Sequence, residues 1–354
     1  MTTRMARCCQ PPERYRGASR FGMASAGAVA RAVALAWTVA LAWAGMLAPA
    51  GRCLGADPPA TLADVSSSDL ATPANGQFVY AIDDTQRTIL AIEPLAEGRQ
   101  RVAVAAAAGD GPRPVAVACL DTNTLVAVCL AGESWSLRTW RVKPDAPADP
   151  TQPLQVLDLG AGPGSSASVH VAVNATRRWL AITGLPAPLP PVLRSAIAGI
   201  RIGKCSDRGC PQLEPTERPM ALAISAADEL VLVCRPTTAA DQRLSFHDQS
   251  GRRLLHLDID LPGIRDLAFN RDDGSLWAVG GTPGSATHPE GLWRLDAAIR
   301  DGLQVVSAVR IADCQAPRAL VCPAEKTIIV AAGDAGGRIV RYQPSPSDGT
   351  QVQP

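Results

Sequence analysis

Three regularities predict an all-β fold, a six-bladed β-propeller whose N-terminal strand completes the last blade. One hairpin unit recurs six times at nearly constant spacing, two further strand-like runs follow it in most copies, and a spare apolar stretch precedes the first copy. Four antiparallel strands repeated roughly every 50 residues are what a propeller blade requires. A seven-bladed ring is the alternative count.

Two hairpin copies align without a gap, from Pro114 to Cys129 and from Pro219 to Cys234. The 11-residue offset linking Pro114 to Leu125 and Pro219 to Leu230 also links Pro317 to Ile328, Val169 to Leu180 and Ser68 to Val79. The fifth copy, from Ile264 to Leu276, carries one extra turn residue. Asp, Asn or Gly stands in the turns, where those residues relieve backbone constraints. A third strand of the form apolar-x-apolar is expected at Leu90–Ile92, Trp140–Val142, Ile200–Ile202, Leu244–Phe246, Trp293–Leu295 and Val340–Tyr342. Fourth strands follow at Arg101–Ala105, Leu154–Leu157, Leu254–Leu257 and Gln304–Ala308. The sixth copy ends at Tyr342 without one, and Thr61–Val65 is expected to supply it, so that no sheet edge stays open.

Residues 1–56 read as a targeting segment. Six arginines, the last at Arg31, lead into the uncharged run Ala32–Gly51, and Ala48-Pro49-Ala50 has the small-x-small form that a signal peptidase cuts. Cleavage after Ala56 is a second option, and Met23 onward has the length of an ordinary signal. The rival reading is an uncleaved membrane anchor, since the 20 uncharged residues just reach across a bilayer. The propeller then occupies 57–343, and 344–354 is a polar, Pro-rich disordered tail. The protein is expected to be exported, to the periplasm, the cell envelope or the medium.

Composition narrows the function classes. Apolar residues make up 47% and charged residues 19%, enough to build a core, while aromatics are only 4%, so that core must rest on Ala, Val, Leu and Ile. Removing residues 1–50 takes away six arginines and one glutamate, moving the net charge from +1 to −4. A mildly acidic domain is a poor binder of nucleic acid, where affinity rests on phosphate neutralisation. Membrane contact is expected only if the leader stays attached. Export permits disulfides, and Cys205–Cys210, joined by a Gly-containing turn, is the candidate pair. Cys119, Cys129, Cys234 and Cys322 lie in apolar runs and read as small buried side chains.

With these strands in place the chain resembles the WD40/YVTN/NHL-like propeller superfamily, in segments such as Asn270–Val279. The Gly-His and Trp-Asp dipeptides of typical WD40 blades are missing, so the resemblance implies a fold and carries no residue roles. Six-bladed propeller lactonases, which hold a channel metal through Glu, Asn and Asp, are the sharpest enzymatic comparison. Here Asn75, Asn123, Asn174 and Asn270 all fall at or beside the short turns, away from the variable loops, and no metal or other cofactor is expected.

The loops between second and third strands vary most, from the Pro-rich Gly184–Ser195 to Arg235–Gln242 and Gly281–Glu290. Variable loops on a rigid scaffold are where binding concentrates. Residues entering the first strands on that side are Arg113, His170, Arg218, Arg265 and Arg318, which would ring the channel mouth as an electropositive site for an anionic group. The alternative is that each arginine bonds a neighbouring blade's carbonyl or an aspartate such as Asp69 or Asp266. No catalytic residues stand out: a Gly-x-Ser-x-Gly elbow is absent, and His288, in a variable loop, has no partner in sequence. The expected function is therefore a non-catalytic binding module that presents its loop-rich face to a protein, glycan or small anion. The alternative is a hydrolase or lyase with its site at the channel mouth.

Overall fold

The computed structural model describes residues 59–343, except 95–97, 144–145, 164–168, 188, 205–208, 212, 237–241, 301–302, 324–326 and 334–336; side chains at 236, 297–300 and 303–305 are also outside the description. The leader, the tail and the Cys205–Cys210 pairing therefore lie outside the described residues.

The described chain is all β. After β1 (Ala60–Ala63), one sheet holds β2 (Leu70–Ala71), β3 (Val79–Asp83), β4 (Thr88–Ile92) and β5 (Gln100–Val104). A second holds β6 (Arg113–Cys119), β7 (Thr124–Ala131), β8 (Ser134–Arg141) and β9 (Gln155–Ala161), and a third β10 (His170–Val173), β11 (Trp179–Thr183), β12 (Val192–Ala198) and β13 (Arg201–Ile202). Two antiparallel meanders form one eight-stranded sheet. They are β14 (Glu217–Ile224) through β15 (Leu230–Pro236) and β16 (Gln242–His247) to β17 (Arg253–Ile259), and β18 (Asp266–Phe269) through β19 (Leu276–Gly280) and β20 (Gly291–Arg300) to β21 (Leu303–Asp313). They join where β17 and β21 pair in parallel, Ile259 against Val306. The last sheet contains β22 (Ala319–Val321), β23 (Ile328–Ala332) and β24 (Arg338–Tyr342), with β1 antiparallel to β24. Thr61 stands opposite Val340, so the start of the propeller segment is stitched to its end.

The first strands pack in a closed circuit: β2 on β6, β6 on β10, β10 on β14, β14 on β18, β18 on β22, and β22 back on β2. This is a propeller-like arrangement, and it explains the sequence pattern. Alternate residues of a strand point to opposite faces, and here both faces are covered by neighbouring sheets. In β7, Val126 and Val128 pack with Trp135, Leu180 and Ile182, whereas Leu125, Ala127 and Cys129 pack with Tyr80, Ile82 and Ile89. Second strands therefore read as unbroken apolar runs, with no polar face.

One strand differs from the sequence expectation. The sequence pattern puts a third strand at Ile200–Ile202, but β12 takes that role and pairs along all of β11, from Trp179–Ala196 to Thr183–Val192. Arg201–Ile202 is the fourth strand, paired to Ala198 and Ile197. The Pro-rich loop thus stops at Pro191, because Val192 and Leu193 are buried against neighbouring sheets. No helix among the described residues is long and apolar enough to cross a membrane.

Candidate active site

Three polar side chains enter the channel at one level, each ten residues before the start of its second-strand run: Asp69 before Val79, His170 before Leu180 and Asp266 before Leu276. Each reaches the first strand of the sheet that follows. Asp69 Oδ1 accepts from Leu70 N at 2.9 Å, and its Oδ2 accepts from Val117 N of β6 at 2.7 Å. Asp266 repeats the motif, with Leu267 N and Leu320 N of β22 both at 2.8 Å. His170 meets the backbone of Met220 in β14.

Across the channel, His170 Nδ1 lies 3.6 Å from Asp266 Oδ1, with side-chain exposures of 11% and 8%. That distance is too long for a hydrogen bond; the two side chains meet as close buried neighbours. Burial disfavours charge on both groups. Burial pushes the Asp266 carboxyl up to about 7, outweighing the two backbone N–H groups that favour its anion. Burial draws the His170 imidazole down to about 4, against a smaller pull upward from Met220. Asp69 is raised well above its usual range, first by burial and then by the proximity of Asp266. Between these limits the pair holds a protonated acid beside an unprotonated ring.

The arginines expected at the mouth separate into two kinds. Arg265 donates to Pro317 O of the next sheet at 2.8 Å and to Glu290 Oε1 at 2.7 Å, and Glu290 Oε2 also accepts from Ala316 N. Arg318 donates to Ser66 Oγ at 3.1 Å and reaches Asp84 Oδ2 at 3.4 Å. Both are braces between sheets. Arg113 and Arg218 are exposed, and neither guanidinium has a hydrogen bond among the described residues. Arg113 stands opposite Leu130 and acts, with Arg318, on Asp84, whose carboxyl burial pushes upward and these two arginines pull down. Arg113 and Arg318 therefore share one end of the molecule. Arg218 stands opposite Arg235. Bulges after Pro114 and Pro219 displace Arg113 and Arg218 from the level of His170, and Arg318 precedes Ala319, the residue at that level in its own sheet, so the five residues do not share one level.

Sequence reasoning finds Asp69 and Asp266 only as partners for arginines. The signal that marks them is a polar residue in the same place of an otherwise apolar first strand. His288 packs 5.9 Å from the Trp293 ring. The four asparagines all sit in the turns between first and second strands, and among the described residues no three His, Cys, Asp or Glu side chains converge as a metal site.

No family model matches the chain, and no curated protein matches it in sequence. The fold is similar to hydrazine synthase from Kuenenia stuttgartiensis at 13% identity and TM-score 0.53, over 81% of this chain and 77% of that one. It is also similar to a PQQ-bound aldose sugar dehydrogenase from Streptomyces coelicolor at 13% identity and TM-score 0.54, over 84% of this chain and 99% of that one. Both are enzymes. This overturns the sequence expectation of a non-catalytic binding module, which rested on fold analogy alone; the same analogy made with solved structures leads to catalysts. At such identity the likeness establishes the fold, and the chemistry has to come from this chain's own residues.

Proposed function

We propose that the protein is an exported, six-bladed propeller enzyme, a hydrolase or lyase working at the loop-side mouth of its channel on a substrate with an anionic group. The observation that carries this reading is the Asp266–His170 contact, an acid and a base held 3.6 Å apart with both side chains nearly buried. Hydrolysis and elimination both need one proton removed and another delivered. His170 takes the first, from water in hydrolysis or from a carbon beside a carboxylate in elimination. Asp266 gives the second to the leaving oxygen. The imidazolium and carboxylate that result face each other, and return of the proton from ring to carboxylate resets the site. Arg113 and Arg218, both exposed on that side, meet the anionic group of the substrate.

Six blades are supported by the closed circuit of first strands and by the division of the eight-stranded sheet into two meanders. Export is supported by the leader's charge pattern, with 1–56 as cleaved signal or anchor, 57–343 as propeller and 344–354 as tail.

The test is a turnover screen of the purified protein on lactones, esters and uronate-containing glycans. Activity should rise as His170 loses its proton above about 4 and fall as Asp266 loses its own above about 7. Asp266→Asn and His170→Gln should each lower kcat about 10²- to 10⁴-fold. Turnover that survives both substitutions in folded protein, or no turnover on any of these substrates, would remove the proposal.

A further inference from the structure

The opposite end of the channel, built from the short turns, holds a recess. Its volume is about 210 Å³, and its lining includes Ala74, Cys119, Val173, Asn174, Arg177 and Arg271. These residues come from the turns and strand ends of β2, β6, β10 and β18, four sheets whose first strands converge only around the channel.

The recess is electropositive by construction. Two guanidiniums, Arg177 and Arg271, line it, and no carboxylate does. The nearby acids are occupied within their own turns. Asp121 Oδ1 accepts from Asn123 N at 2.7 Å, while Asp273 Oδ1 accepts from Ser275 N at 2.9 Å and Ser275 Oγ at 2.6 Å. Burial pushes the Cys119 thiol upward, so it stays neutral and adds no negative charge. Among the described residues neither guanidinium has a hydrogen bond or ion pair. Although Arg271 is exposed at the rim, desolvation by the walls lowers its pKa, and Arg177 adds to that push.

The backbone supplies an independent observation. Arg177 has φ 55°, in the left-handed region that glycine, asparagine and aspartate enter most readily. The same turn position in the β14–β15 hairpin carries Asp228, with φ 63°. A long cation is therefore held where the turn itself would favour a smaller residue, and strain of this kind concentrates at ligand sites.

We propose that this recess binds a small oxyanion, a phosphate or a short carboxylate, gripped between Arg177 and Arg271. Its size fits: it has room for about seven waters at roughly 30 Å³ each, short of the roughly 300 Å³ or more of pockets that hold larger ligands. Guanidinium pairs suit the forked geometry of such anions. The site is separate from the loop-side mouth, and the reading does not depend on catalysis there.

Calorimetric titration of the full-length protein with inorganic phosphate, and separately with succinate, at low salt provides the test. Binding at the recess is expected with a Kd of about 1 mM or tighter, weakening as salt is added. Arg271→Gln should weaken binding about tenfold or more. Arg177→Gly removes the other guanidinium and gives the turn a residue suited to its φ, so this variant should melt no lower than the parent while losing a similar factor. An Arg113→Ala/Arg218→Ala double variant, altered only at exposed residues of the far mouth, should keep the component of binding that Arg177→Gly and Arg271→Gln remove. The proposal is overturned if neither anion binds at roughly 10 mM, if an Arg177→Gly/Arg271→Gln variant binds as the parent does, or if binding is lost in the far-mouth variant.

Discussion

Asp266→Asn and His170→Gln should tilt the pH dependence of stability in opposite directions. Asp266 titrates near 7 in the folded chain against 3.8 for an ordinary aspartate. A raised pKa gives stability that is fully present below 3.8 and is lost as pH climbs through 7. His170 titrates near 4 against 6.5, so its contribution is present above 6.5 and is lost as pH falls through 4. One titrating proton changes stability by at most about 1.4 kcal/mol per pH unit. Plotted as variant minus parent, the Asp266→Asn curve should therefore climb by roughly 4 kcal/mol from acid to neutral pH, and the His170→Gln curve should fall by roughly 3 kcal/mol. The difference is the quantity to read, because Asp69 and other groups shape the parent's own curve. Asp266→Asn also adds a constant loss of about 1–3 kcal/mol, since the amide that replaces the carboxyl cannot accept from both Leu267 N and Leu320 N. Asp69→Asn should show that constant loss too. Urea unfolding followed by tryptophan fluorescence from about pH 4 to about pH 8 supplies the curves. Flat differences would mean that the pair titrates normally, and slopes of the reversed signs would mean a charged ion pair; either result refutes the neutral acid–base pair.

Three other outcomes follow from the packing. Trp135 is fully buried and its Nε1 donates to Gly162 O at 3.0 Å, so Trp135→Ala should cost about 3–5 kcal/mol in chemical denaturation. Asn174 is buried, with Oδ1 accepting from Arg178 N at 2.7 Å and Trp179 N at 3.0 Å and with Nδ2 donating to Asp228 Oδ1 at 3.0 Å; Asn174→Ala should cost about 2–4 kcal/mol, read from the same denaturation curves. Burial pushes the Cys129 and Cys234 thiols up to about 12 and Cys314 to about 11, so mass spectrometry should find these three unalkylated in native protein at about pH 8 and modified once urea is added.

The blades were legible because their signal is local and repeated. A fixed offset between first and second strands forces the same hairpin wherever it recurs, and a missing fourth strand after Tyr342 points to the stretch Thr61–Val65, which overlaps the observed Ala60–Ala63. The third strand at Val192 was hidden because the prolines before it, Pro186, Pro190 and Pro191 among them, read as loop, and only burial against adjacent sheets ends that loop at Pro191. The site was less legible for a different reason. His170 and Asp266 lie 3.6 Å apart but far apart in sequence, and nothing local in either strand announces the other. The arginines were visible as a set, yet whether each one braces a neighbour or stands free depends on Glu290 and Asp84, which come from loops with no repeating pattern.

The pairing of Ala60–Ala63 with Arg338–Tyr342 also dictates an order of events. The first described strand to leave the ribosome has its partner among the last, and until that partner is made the circle stays open with an unsatisfied edge. Contacts of such wide sequence separation form slowly, and partly made sheets with bare edges are prone to aggregation. The ring therefore cannot lock shut before its far end arrives.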